Sequence, residues 1–165
     1  MEIQKTPSLV KSNNKVYSGK ENDSGVASQG GTCKRRSRTM ANVISTDKAP
    51  AAIGPYSQAK ECNGMIYTSG MIPINPATGE LVTGSVEAQA EQAISNLEAL
   101  LSEAGSSINK VVKTVVFISN MDDFGVINEV YAKHFQEPYP ARSCVQVARL
   151  PKDVAIEIEA IAEKK

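Results

Sequence analysis

Residues 85–119 read SVEAQAEQAISNLEALLSEAGSSINKVVKTVVFIS, and this one stretch holds both periods of a mixed fold. Its first half places Val86, Ala90, Ala93, Ile94, Leu97, Leu100, Leu101 and Ala104 at steps of three and four, which gather on one side of a helix. Ser85 suits the N-cap because its hydroxyl accepts a free N–H of the first turn, and Gly105 suits the C′ position because it tolerates φ > 0. The second half, residues 111–119, is β-branched and almost continuously apolar, as a central strand requires. The stretch predicts a helix over 86–104 and then a strand over 111–119.

Upstream, residues 56–62 and 65–69 flank Asn63-Gly64, the strongest short hairpin signal because both turn residues take φ > 0. Residues 73–84, with Asn75-Pro76 and Thr78-Gly79, read as a turn-rich connection. Downstream, Phe124, Ile127, Val130, Tyr131 and Phe135 predict a second helix over 123–135, capped by Asp122. Two further strands, 143–149 and 154–162, read as a hairpin joined by Leu150-Pro151-Lys152-Asp153. The order hairpin, helix, strand, helix, hairpin gives an α+β fold, a mixed sheet with two helices packed on one face. The other face is then open, or buried by another copy.

The chain has 165 residues, 41% hydrophobic and 22% charged, which suits one soluble domain with a tail. Its zero net charge is a cancellation: residues 1–39 carry eight bases against three acids (+5), and residues 40–165 ten against fifteen (−5). Residues 1–39 show no apolar period and read as a disordered basic tail on a body spanning 40–165. The run Lys34-Arg35-Arg36-Ser37-Arg38 reads as a solvated segment, with a nucleic-acid or localisation patch as the alternative. No apolar run reaches the roughly 20 residues of a membrane helix, so no membrane partner is expected. One histidine and three scattered cysteines exclude a His-rich metal centre and a disulfide framework. The absence of Trp and a total of eight Phe and Tyr leave little material for base stacking, so nucleic acid is not the expected partner.

Alternation along the last two strands separates their side chains. If Val145, Val147, Ile156 and Ile158 lie under the helices, then Arg142, Cys144, Gln146, Glu157 and Glu159 share the opposite face. On spacing alone, the simplest account is a solvated outer face with cross-strand Arg–Glu pairs of little energetic weight. Arg142 is less ordinary, because Pro138-Tyr139-Pro140-Ala141 stiffens its approach and a fixed guanidinium fork suits bidentate capture of a carboxylate.

Five runs then occur in order: Gly54-Pro55-Tyr56-Ser57-Gln58, Thr68-Ser69-Gly70, Val126-Ile127-Asn128-Glu129-Val130-Tyr131, Pro140-Ala141-Arg142-Ser143 and Ile156-Glu157-Ile158-Glu159-Ala160. Together they resemble the reactive intermediate deaminase (RidA/YjgF) family across residues 43–162. The resemblance implies a chorismate-mutase-like fold and a homotrimer whose sheets turn their helix-free faces inward, with sites in the clefts between subunits. It implies hydrolysis of the small 2-imino acids 2-iminopropanoate and 2-iminobutanoate to 2-keto acids and ammonia, with no metal and no cofactor.

By the same resemblance, Arg142 holds the substrate carboxylate, while Glu157 activates water or passes its proton to the leaving amine. Cys144 contacts ligand through its backbone, and Tyr56, Ser69, Gly70 and Asn128 line the pocket. Each has a plainer reading: Glu157 as partner of Arg142, Tyr56 as packing, Ser69 and Gly70 as a strand end, Asn128 as a solvated helix position. Glu159 matches no catalytic role, and His134 reads as a capping or surface residue. The expected compartment is the cytoplasm, with organellar targeting by residues 1–39 as the alternative. Two other functions compete: a nucleic-acid-binding or RNA-cleaving protein, and a non-catalytic ligand-binding or chaperone-like trimer.

Overall fold

The computed structural model describes residues 41–165, so the expectations for residues 1–39 lie outside the described residues. Six strands form one sheet: β1 (Asn42–Ile44), β2 (Ala59–Cys62), β3 (Met65–Thr68), β4 (Val111–Ile118), β5 (Ala141–Gln146) and β6 (Ile156–Glu163). Their order across the sheet is β1-β2-β3-β6-β4-β5, antiparallel throughout except for the parallel β4–β5 pair. Two helices, α1 (Val86–Glu103) and α2 (Phe124–His134), complete the domain.

The local signals act as their chemistry requires. Asn63 and Gly64 take φ of 53° and 77° and turn β2 into β3. The Ser85 hydroxyl accepts the Ala88 N–H at 3.1 Å. At the other end of α1, Gly105 takes φ of 72° while Ser106 N–H bonds Leu101 O and Gly105 N–H bonds Ser102 O, the paired bonds of a Schellman motif. Entry to α2 differs from expectation. A 3-10 turn over Met121–Asp123 precedes it, and the Asn120 side chain rather than Asp122 accepts the exposed N–H, that of Asp122 at 3.1 Å.

Both helices cover one face. Ile94, Leu97, Leu100 and Leu101 of α1 are fully buried together with Ile66, Val116, Ile118, Ile156 and Ile158 of the sheet. Truncating such a side chain to alanine costs about 2–5 kcal/mol. On the other face Tyr67 and Val145 stand exposed beside half-buried Val115, Phe117 and Ile161.

The last two strands correct the predicted topology. They do not form a hairpin: β5 lies parallel to β4 at the sheet edge, and β6 inserts between β3 and β4. A parallel pair needs a crossover, which α2 supplies. The link from β5 to β6 passes through Lys152 and Asp153, both left-handed with φ of 58° and 57°, under a fork from Arg149 to Asp153 at 2.6 and 2.9 Å. Because β5 pairs with β4, Arg142, Cys144 and Gln146 align with Thr114, Val116 and Ile118 and lie on the helix side. Val145, 43% exposed, points to the free face instead. The five residues expected on one face are therefore split, with only Glu157 and Glu159 on the helix-free side.

Candidate active site

Two cavities collect the candidate residues, one on each side of the sheet. On the helix side, Arg142 Nη2 donates to Asn128 Oδ1 at 2.8 Å. Its guanidinium carbon lies 4.5 Å from the centre of the Tyr131 ring and 5.6 Å from that of Phe124. Tyr131 is held in turn by stacking on Phe135 at 4.1 Å and by a 2.9 Å hydrogen bond between its hydroxyl and that of buried Thr114. Burial raises the Tyr131 phenol above its ordinary value, so it remains neutral beneath the cation. The cation–π slot and the Asn128 carboxamide fix the fork beside a cavity of about 460 Å³ bounded by Asn128, Tyr139, Pro140 and Arg142.

Cys144 follows two residues later on the same face and packs against the core. Burial pushes its thiol up, and the nearby Arg142 charge opposes this only in part. A neutral, half-buried thiol is a poor nucleophile, so its backbone is the part suited to ligand contact.

On the helix-free side, Glu157 pairs with Phe117 while Arg142 pairs with Thr114, three residues away on β4. An odd separation along a strand means opposite faces. Glu157 lies against Gly70: a Cβ there would overlap Glu157 Oε1 and lie 2.6 Å from Cδ. Only glycine leaves room for the carboxylate. Desolvation by burial raises the Glu157 carboxyl, and repulsion from Glu159, two residues along the same face, adds to the rise. Ser69 Oγ donates to Ser57 O at 2.7 Å, tying the Ser69–Gly70 corner to the segment carrying Tyr56. Tyr56, Ser69, Gly70 and Glu157 share a second cavity of about 400 Å³ with Ile53 and Ile72.

The predicted residues thus form two groups, Arg142, Asn128 and Cys144 against Glu157, Gly70, Ser69 and Tyr56, and one chain does not bring the groups together. Asn128 faces Arg142 rather than solvent. His134 clips the two helices together, its Nε2 lying 2.6 Å from Glu91 Oε2. Phe124 and Tyr131, which read as core stripe, are the residues missed. Their signal lay in the steps of four and three that put them on the Asn128 side of α2. Among the described residues, no three His, Cys, Asp or Glu side chains come together as a metal-holding group.

The sheet, its helix pair and the two open cavities on its opposite sides define a class of small α+β protein with polar candidate-site residues on both faces of one sheet. A family model described as Endoribonuclease L-PSP matches residues 46–164. The 2-iminobutanoate/2-iminopropanoate deaminase of Escherichia coli strain K12 is 51% identical over 129 residues, covering 76% of this chain and 100% of that protein. Among solved structures, Escherichia coli TdcF with bound serine has a TM-score of 0.71 at 49% identity, covering 75% of this chain and 99% of that one. RidA from an Antarctic Psychrobacter has a TM-score of 0.71 at 48% identity, covering 74% and 98%. The chain belongs to the reactive intermediate deaminase (RidA/YjgF) family.

Proposed function

We propose that this protein hydrolyses reactive 2-imino acids to 2-keto acids and ammonia, at sites completed between the subunits of a homotrimer. The observation that carries this reading is the split of Arg142 and Glu157 across the sheet. A carboxylate clamp and a proton-handling carboxylate that cannot meet within one chain can meet when the Glu157 face of one copy covers the Arg142 edge of another. The 51% identity to a protein named as this deaminase supports the chemistry. The exposed Tyr67 and Val145 on the helix-free face support burial by a second copy.

In this mechanism the Arg142 fork takes the substrate carboxylate and holds C2 of the imine at the Glu157 half-site. A water adds its oxygen to C2 of the protonated imine while Glu157 accepts one of its protons, giving a neutral carbinolamine. Glu157 returns that proton to nitrogen, the C–N bond breaks, and ammonia leaves as the second water proton is lost and C=O forms. One water is consumed for each ammonia released. The raised carboxyl suits a group that must both take and give a proton near neutral pH. Residues 40–165 form the catalytic body in this reading, with 1–39 as an appended tail. The setting is the reducing cytoplasm, where Cys62 and Cys144 remain free thiols. The −5 net charge of residues 40–165 disfavours attraction of a polyanion, which weighs against RNA as substrate.

The test is to generate 2-aminoacrylate with a pyridoxal-phosphate serine dehydratase and follow loss of its imine with and without the full chain. Catalytic acceleration is expected. An unchanged decay rate at stoichiometric protein overturns the deaminase reading, and a stable monomer in sedimentation at micromolar concentration overturns the shared site.

A further inference from the structure

Gln58, just before β2, is 3% exposed and uses its whole carboxamide. Its Oε1 accepts the Thr46 N–H at 2.7 Å, and its Nε2 donates to Thr46 O at 3.0 Å and Pro50 O at 2.8 Å, with a longer contact to Ala49 O at 3.3 Å. A second tie runs beside it, from Ser69 Oγ to Ser57 O at 2.7 Å and from Ser69 N–H to Gln58 O at 2.8 Å. Between these anchors residues 51–56 are exposed, with Ile53 at 81% and Tyr56 at 51%. The other hydrogen bonds of residues 46–57 found among the described residues, Lys48 N–H to Thr46 Oγ1 and Tyr56 N–H to Gly54 O, stay within the loop. The loop therefore hangs from one buried amide and one hydroxyl.

Ile53 and Tyr56 border the Glu157 cavity and also a neighbouring apolar cavity of about 220 Å³ that continues to Met71, Ile72 and Ile74. In the deaminase reading C2 sits at Glu157, and Ile53 and Tyr56 line that same cavity, so they are the apolar wall available to the alkyl substituent on C2. We infer that Gln58 is a positioning residue that sets the alkyl-chain selectivity of the site by holding Ile53 and Tyr56 in place. This inference rests on the deaminase reading above. Only a carboxamide provides the acceptor and the paired donors that the anchor uses: a carboxylate sets an acceptor against three carbonyls, and a thioether donates nothing.

A fixed wall buries one more methylene of 2-iminobutanoate than of 2-iminopropanoate, which is worth about fourfold in binding. The wall touches the substituent equally in ground and transition states, so its loss appears in KM and leaves kcat nearly unchanged.

The experiment measures kcat and KM of the full chain for both imines, each generated in situ by a serine or threonine dehydratase. Absence of turnover in the unmodified chain overturns the deaminase reading itself. Given turnover, Gln58→Met is expected to lower the 2-iminobutanoate to 2-iminopropanoate ratio of kcat/KM about fourfold, through KM, with kcat within about twofold. Ile53→Ala, at an exposed position that leaves the core untouched, should shift the ratio the same way, and adding it to Gln58→Met should shift it little further. An unchanged ratio in Gln58→Met alongside a lowered Tm makes Gln58 merely structural and overturns the inference. If Gln58→Met does not fold, Ile53→Ala decides: an unchanged ratio there means there is no selective wall to position.

Discussion

Replacing Gly70 with alanine tests the proposed catalytic role of Glu157 without touching Glu157. Gly70 is not among the glycines with positive φ, so alanine suits its backbone. The added Cβ would overlap Glu157 Oε1 and lie 2.6 Å from Cδ and 2.8 Å from Cγ, so the overlapped oxygen sets the displacement and the carboxyl group must retreat by more than about 1 Å. A misplacement of about 1 Å in a reacting group costs about 10²-fold in rate, close to 2.7 kcal/mol. The obstacle is the far end of a flexible, half-buried side chain, so the stability loss should stay under about 1 kcal/mol, a few degrees of Tm. Gly70→Ala is therefore expected to lose kcat about 10²-fold in the dehydratase-coupled assay while its melting curve barely moves. On a Glu157→Gln background the same substitution should cost almost nothing further, because the group it displaces is already inert. A Gly70→Ala protein with kcat within about threefold of the unmodified chain refutes the reasoning. A loss that persists in full on the Glu157→Gln background assigns the effect to substrate contact at Gly70 itself.

Three other substitutions separate the remaining roles. Arg142→Ala removes a charge-assisted contact worth roughly 1.5–3 kcal/mol and should weaken 2-oxobutanoate binding by about one to two decades in calorimetry, with Arg142→Lys recovering only part. Tyr131→Phe keeps the ring under the guanidinium but strands the buried Thr114 hydroxyl, so it should cost about 1–3 kcal/mol in denaturant unfolding with product affinity unchanged. Glu157→Gln should lower kcat by about 10²–10⁴-fold with little effect on product binding. Folding raises the Glu157 carboxyl, so its contribution to stability is full below the unfolded pKa and lost as pH rises through the folded one. Melting curves across pH should therefore show Glu157→Gln more stable than the parent near neutrality and equal to it in acid.

The elements governed by neighbouring residues were legible. Ser85 and Gly105 bound α1, Asn63-Gly64 turns the first hairpin, and the β-branched run of residues 111–118 becomes β4, in each case through chemistry within a few residues. The faces of β5 were not legible. Alternation says which side chains travel together but not which set the helices cover, and Val145 looked like core because it is aliphatic. Its true side follows from parallel pairing with β4, a contact spanning some thirty residues that no local pattern encodes. The short strand β1 carried too few residues for a period. Arg142 and Glu157 stood out as candidates by residue type, but their separation across the sheet did not, since it depends on β6 entering the sheet between β3 and β4.

That separation has a consequence at the level of alleles. In the proposed ring of three, every chain lends its Arg142 edge to one junction and its Glu157 face to another. A chain lacking Arg142 and a chain lacking Glu157 are each impaired at every junction alone, yet when the two exchange subunits freely in equal amounts, about a quarter of junctions join two intact halves. Two impaired alleles would complement one another with no recombination between them. A chain with both lesions does the reverse: a single copy of it in the ring poisons both junctions that it touches and leaves one working site.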